Sequence, residues 1–249
     1  MLKKYIFILL CFLAYQPNSK AAWDAGNWNT LDISYRLNKN FAILFTEECR
    51  IKYNFTQLNL FYTNIGLEYR MNAAFKTSLV YRQIDKYIVE GGGFSFRHRL
   101  MWDATYRYRI TPKFSASYRH RLQVENRNIL SSEKGHLFEW YSRNKFSLKY
   151  DLTDRWSTAV AAEFRYQLHD PRSRESEHTW HRDRYQAGFE YEWSHTISTG
   201  AFYLIQREYN VNIPENLSII GLEMTISLAS KNASTNATPS SPVEVIDNK

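Results

Sequence analysis

The chain has 249 residues, 16% of them aromatic with 18 tyrosines, and a formal net charge of +7. A mean hydropathy of −0.52 would suit a soluble protein, and past the N-terminal apolar run no stretch approaches the roughly 18 consecutive apolar residues of a membrane-spanning helix. Setting aside Lys3, Lys4 and Lys20 leaves 29 basic against 25 acidic residues. This excess is too even for nucleic-acid binding.

Lys3 and Lys4 precede an apolar run from Tyr5 to Tyr15, and Ser19-Lys20-Ala21 offers small residues for cleavage before Ala22. That is the layout of a secretory signal. The run is short for a spanning helix, and Cys11 follows Leu10 rather than a small residue, which argues against a lipoprotein anchor. The expected organisation is a leader at 1–21, a body at 22–228 and a flexible C-terminal tail at 229–249, rich in Ser, Asn, Thr and Pro and without aromatics. In the body only Cys49 remains, which excludes an intramolecular disulfide and a cysteine zinc site.

Alternating runs predict strands at 27–38, 41–53, 58–71, 75–86, 94–110, 114–127, 137–152, 156–168, 181–193, 197–208 and 217–228. The fifth is the most informative. Phe94, Phe96, His98, Leu100, Trp102, Ala104, Tyr106, Tyr108 and Ile110 share one parity, and Arg97, Arg99, Asp103, Arg107 and Arg109 the other. At about 3.3 Å per residue it is far longer than the five or six residues of an ordinary strand. An apolar face backed by a charged one suits a tilted strand crossing a bilayer, lipid outside and a polar lumen inside.

Five connections are tight: Asn38 to Asn40, Asn72 to Ala74, Thr111 to Lys113, Thr153 to Arg155 and Ser194 to Thr196. Between them lie mostly longer polar loops, the asymmetry of barrels with short periplasmic turns and longer extracellular loops. Tyr35, Phe41, Tyr69, Phe75, Tyr108, Phe114, Tyr150, Trp156 and Trp193 flank the tight turns on the apolar parity, as an interfacial girdle would. The fold expected is therefore all-β: an antiparallel transmembrane β-barrel of 10–12 strands, best 12. Even numbers are the rule for bacterial single-chain barrels, and the stretch 27–53 is the suspect one, because Glu47 falls on the lipid parity.

The early Tyr35-Arg36-Leu37-Asn38-Lys39-Asn40-Phe41, the later Ile65-Gly66-Leu67-Glu68-Tyr69-Arg70, the segments His98-Arg99-Leu100 and Tyr118-Arg119-His120-Arg121-Leu122, and the closing Gly221-Leu222-Glu223 resemble an uncharacterised family of bacterial outer-membrane barrels known only as a domain of unknown function. The resemblance spans roughly residues 23–228. It implies the outer membrane of a Gram-negative cell and supplies no catalytic residue. The expected partners are membrane lipids, lipopolysaccharide and the barrel-insertion machinery; no nucleic acid and no cofactor is expected. One departure is the last strand, which ends Ile226-Ser227-Leu228 instead of on an aromatic residue.

By parity the lumen receives a charge ladder of Arg97, Arg99, Asp103, Arg107, Arg109, Arg119, Arg121, Glu125, Lys145, Glu163, Arg182 and Glu208. Hairpin register sets Asp103 opposite Arg121, Arg99 opposite Glu125, Lys145 opposite Glu163 and Arg182 opposite Glu208. Interleaved signs point to a structural or accessory barrel stiffened by salt bridges; the arginine excess offers a narrow passage or binding pocket for a small anionic solute. A lipid hydrolase is the third reading, and it lacks a serine: His98 and His120 lie on the lipid parity, whereas Ser95, Ser115 and Ser117 lie on the other. His178 and His181 have a spacing that can place two imidazoles on a metal, with no third ligand fixed by spacing.

Overall fold

The computed structural model describes residues 23–88, 92–127, 138–171, 177–211 and 214–230. The expected leader, 1–21, and residues 231–249 of the expected tail lie outside the described residues, while Ala229, expected to open the tail, is the last residue of the final strand, paired with Arg36. The eleven strands are β1 (Trp23–Arg36), β2 (Phe41–Lys52), β3 (Gln57–Arg70), β4 (Phe75–Tyr87), β5 (Phe94–Thr111), β6 (Phe114–Arg127), β7 (Phe138–Asp151), β8 (Trp156–His169), β9 (Thr179–Ser194), β10 (Ile197–Glu208) and β11 (Asn216–Ala229). Consecutive strands are antiparallel neighbours, and the sheet closes between β1 and β11. That seam is parallel over the full length of β1, from Trp23 opposite Asn216 to Arg36 opposite Ala229.

The even strand number expected from the sequence is thus corrected to eleven among the described residues. A parallel ladder pairs edge N–H and C=O groups as an antiparallel one does, so a barrel can close without an even count. The suspected stretch 27–53 is a full part of the wall, with β1 and β2 paired from Asn27–Ile51 to Arg36–Ala42. With an odd number, β1 begins at the loop end and β11 finishes at the turn end.

Four of the five tight turns use one local device. Asn38 Oδ1 accepts the N–H groups of Asn40 and Phe41, both at 2.9 Å. Asn72 does the same for Ala74 and Phe75, Thr153 for Arg155 and Trp156, and Ser194 for Thr196 and Ile197. A short polar side chain reaching two and three residues ahead closes the turn where the ladder has no backbone acceptor. At the loop end the β2–β3 connection is left-handed, with φ of 53°, 52° and 67° at Tyr53, Asn54 and Phe55. Such backbone costs roughly 1–2 kcal/mol per residue. The Asp24 carboxylate offsets part of this by accepting the N–H groups of Tyr53 and Asn54 at 2.8 and 2.9 Å.

Alternation sorts the wall into two faces. Ile65, Leu67, Leu79, Leu100, Trp102, Phe146, Leu148, Phe189 and Leu222 stand exposed on the outside, while Met101, Gln123, Gln167 and Ile219 of the inner parity are fully buried. Of the nine girdle aromatics, Phe75 and Phe114 are half-buried and the other seven exposed on the outer face; the Phe41 and Tyr69 rings meet at 4.8 Å, tilted by 42°. A second ring of exposed aromatics stands toward the loop end, including Phe94, Phe96, Phe138, Trp140 and Trp180. From Phe96 to Tyr108 along a tilted strand the two belts are roughly 25–30 Å apart.

Inside, Trp28, Leu204, Leu217 and Ile219 form a buried cluster with Phe202 packed against it. Phe202 is paired with Gly188 on one side and Gly221 on the other. A Cβ at Gly221 would stand 1.9 Å from the Phe202 ring, and one at Gly188 would stand 2.7 Å from the Ala201 carbonyl oxygen. Both positions therefore need glycine for space rather than for backbone freedom.

Gly221→Val is expected to lower unfolding stability in lipid vesicles by about 1–3 kcal/mol. Phe202→Ala should relieve part of that in the double variant, so urea titrations of the four proteins should give a coupling of about 1 kcal/mol or more. Strictly additive losses would show that the ring and the glycine are not in contact.

Candidate functional site in the barrel lumen

All twelve ladder residues share the inner parity of their strands, as defined by buried Met101 and Asp103 on β5, Gln123 on β6, Arg143 on β7, Arg165 on β8 and Gln206 on β10, and by Arg182 and Arg184 lining the lumen from β9. Arg121 clasps Asp103 with both arms of its fork, at 2.6 and 2.7 Å. Arg99 donates to Glu125 at 2.6 and 3.1 Å. Arg182 bonds Glu208 across the β9–β10 hairpin.

The fourth expected pair keeps its register but not its contact. Lys145 is opposite Glu163, yet Glu163 is claimed by three guanidinium groups: Arg143, Arg119 at 2.7 Å and Arg184 at 3.4 Å. The Lys145 ammonium instead donates to Gln186 Oε1 at 3.4 Å. Planar forks from β6, β7 and β9 can share one carboxylate, and a hydrated point charge loses that competition.

A cavity of about 320 Å³ opens among these side chains. Its wall carries ten Arg or Lys side chains and four carboxylates, Asp32, Glu48, Glu163 and Glu223. Counting Asp103, Glu125 and Glu208, which pair with lining Arg121, Arg99 and Arg182, the cations still lead by ten to seven.

The surplus cations rest on aromatic faces and amides. Arg82, 7% exposed, lies 3.5 Å over the Tyr62 ring and donates to Asn64 Oδ1 at 2.7 Å. Arg165, 9% exposed, lies 4.2 Å over Tyr141 and meets His181 Nδ1 at 2.8 Å. Arg50 sits 3.6 Å over Trp28 while bonding Glu48. Among the described residues, Arg82, Arg165 and Lys145 have no carboxylate at ion-pair distance. Ring quadrupoles hold a cation without neutralising it.

The twelve-residue ladder omits Arg50 and Arg82. The signal available was their inner parity, shared with Glu48 and with Val80. At the turn end Arg107 and Arg109 are exposed and, among the described residues, form no ion pair, so the lumen mouth there is cationic as well.

Polar groups on the outer face meet one another. The Tyr81 hydroxyl meets His98 Nδ1 at 2.6 Å, and His120 Nδ1 and the Tyr118 hydroxyl both reach Asn144 Oδ1, at 3.0 and 2.7 Å. Ser142 shares this face, which sequence parity alone did not bring to notice, but its hydroxyl contacts the Asn144 amide at 3.5 Å and not an imidazole. Glu47 accepts from the Thr63 hydroxyl at 2.7 Å. His181 points into the lumen beside Arg165 and Tyr141, while His178 lies in the preceding loop with φ of 53°. No group of three or more His, Cys, Asp or Glu suited to a metal stands together among the described residues.

The architecture is that of a closed β-barrel with a charged lumen. Residues 25–216 match the model of the family described as Protein of unknown function (DUF2490), and the chain belongs to that family. Comparison with curated proteins returns no match. Among solved structures the NanC porin, in a rhombohedral crystal form, is similar with a TM-score of 0.49 and 12% identity, over 78% of this chain and 92% of that one.

Glu163→Gln should destabilise the folded barrel by about 3–5 kcal/mol, because three buried guanidinium groups lose their shared counter-charge. Lys145→Met should cost about 1 kcal/mol or less. Urea titration of the barrel in lipid vesicles separates the two, and equal losses would mean that Lys145, not the arginine trio, is the partner of Glu163.

Proposed function

We propose that this protein is an integral outer-membrane barrel of a Gram-negative cell whose lumen binds and passes small anionic solutes. The observation that carries the reading is the cavity wall, where ten cations outnumber the carboxylates and Arg82, Arg165 and Lys145 lack any. A buried charge without a counter-charge is expensive in a medium of low dielectric, and an anionic solute supplies the counter-charge. The exposed Arg107 and Arg109 at the turn end would draw anions toward the mouth.

The leader, the outward apolar band and the two aromatic belts support export and membrane insertion. In this reading the tight turns face the periplasm and the long loops face outward, in contact with lipopolysaccharide. A second reading is favoured by the Asp103–Arg121, Arg99–Glu125 and Glu163 clusters: a barrel whose ion pairs stiffen the wall and close the lumen, with a structural or accessory role.

Leu148→Arg places a charge on the outer face between the belts and is expected to cost roughly 2–4 kcal/mol in lipid. Ser147→Arg, one residue along the same strand, faces the lumen beside Ala161 and Ser157 and should cost far less. Heat-modifiability gels of refolded protein check this, and equal tolerance would argue against a membrane-spanning wall.

Reconstituted in planar bilayers under a potassium chloride gradient, the protein should show steady openings with a reversal potential of anionic sign. Arg82→Gln combined with Arg165→Gln should lower the anion-to-cation permeability ratio by about threefold or more. Silent bilayers with folded protein would favour the closed structural barrel.

A further inference from the structure

The charges around the cavity are not mixed but sorted. Three of its four carboxylates, Asp32, Glu48 and Glu223, stand on β1, β2 and β11, the three strands centred on the seam. Eight of its ten cations stand on β5 to β9. In a ring of eleven strands the wall opposite β1 is β6 and β7, which present Arg119, Arg121, Arg143 and Lys145. An acidic wall therefore faces a basic wall across the cavity.

Among the described residues no ion pair joins the two walls. Glu48 is occupied by Arg50, Thr30 and Tyr62, and Glu163 belongs to the arginine trio. Asp32 accepts from the Thr46 hydroxyl at 2.6 Å and stands in hydrogen-bond contact with Glu223. Among the described residues, neither Asp32 nor Glu223 has a cation at ion-pair distance. Across from them Lys145 rests only on an amide, and the buried Nε atoms of Arg119 and Arg143 meet no acceptor. Two adjacent carboxyls facing a cavity suit an ammonium group, which can donate to both. Guanidinium forks suit a carboxylate.

We propose that the cavity is a two-ended site for a small amino acid with an acidic side chain, its ammonium on Asp32 and Glu223 and its carboxylates on Lys145 and the β6–β7 arginines. This rests on the anion-passing reading and narrows it. The solute has one cationic end and an excess of negative charge, matching a cavity with one small acidic wall and a larger basic one. A cavity of 320 Å³ admits a molecule of this size, and opposed walls would orient it along the line between them.

Aspartate and succinate give the matched probes, since succinate is the same dicarboxylate skeleton without the ammonium. Fluxes into proteoliposomes should favour aspartate over succinate by about tenfold, the effect of one charge-assisted contact of about 1.4 kcal/mol. In the Asp32→Asn, Glu223→Gln double variant that ratio should fall below about twofold, with succinate flux raised by the loss of negative charge. Equal aspartate and succinate fluxes in the native protein would overturn the two-ended site while leaving the anionic lumen intact, whatever the variant does. Flux of neither, from protein shown folded by its gel shift, would overturn the anion-passing reading itself. An unchanged ratio in a folded double variant would assign the discrimination elsewhere and sink the role of the seam carboxyls.

Discussion

Closure of the sheet is the constraint on which everything else depends. In the membrane-spanning reading proposed above, the outward apolar face meets no water to satisfy free N–H and C=O groups, so each strand must find a neighbour on both sides. Ten hairpin-linked pairings leave β1 and β11 as the remaining edges, and their parallel ladder removes both. Once the ring is shut, the period of two does the sorting: every residue faces either the outside or the lumen, and a slip of one residue would exchange the faces of a whole strand.

The lumen then has to accommodate the charges that alternation delivers. Two outcomes coexist in the same space. Where acids and arginines come into reach, ion pairs form and stiffen the wall; where no carboxylate is in reach, Arg82 and Arg165 lie on Tyr62 and Tyr141. The second arrangement is the informative one. Aromatic shelves keep a guanidinium in place and leave its charge available, whereas a carboxylate in the same position would have cancelled it. The structural and the solute-binding readings are therefore two consequences of one charge distribution, and the unpaired part of it separates them.

Much of this was legible in the sequence because hairpins have short-range logic. The tight turns announce themselves by Asn, Thr or Ser three residues before each new strand, and from them register follows by counting, which is how Asp103–Arg121, Arg99–Glu125 and Arg182–Glu208 could be written down beforehand. Counting names the residue opposite; it does not choose among reachable partners, so Lys145 faces Glu163 while Arg184 directly opposite on β9, Arg143 diagonal on β7 and Arg119 two strands away on β6 take the carboxylate. The strand number departs from the expected even count for a related reason. The seam joins the two most distant strands of the chain, and no turn between them carries information about whether they run parallel. The sorting of acids to one wall and bases to the other was invisible for the same reason, since it needs the ring closed before opposite sides exist.

The register of β11 against β10 is held at one residue. Gly221 is paired with Phe202 on β10 and with Trp28 on β1, and the Phe202 ring fills the space where its Cβ would be, with Trp28 in the adjoining buried cluster. Shifting β11 by two residues in either direction would keep the faces correct but bring Ile219 or Glu223 beside Phe202, where a side chain has no room. With Gly221 fixed beside Trp28, Glu223 must stand beside Thr30 and Thr225 beside Asp32. That is the spacing that brings the Asp32 and Glu223 carboxyls together. Glu223 thus stands two residues along β11 from Gly221 and Asp32 four along β1 from Trp28, so the strand that closes on Phe202 also carries one carboxyl of the acidic wall to the seam.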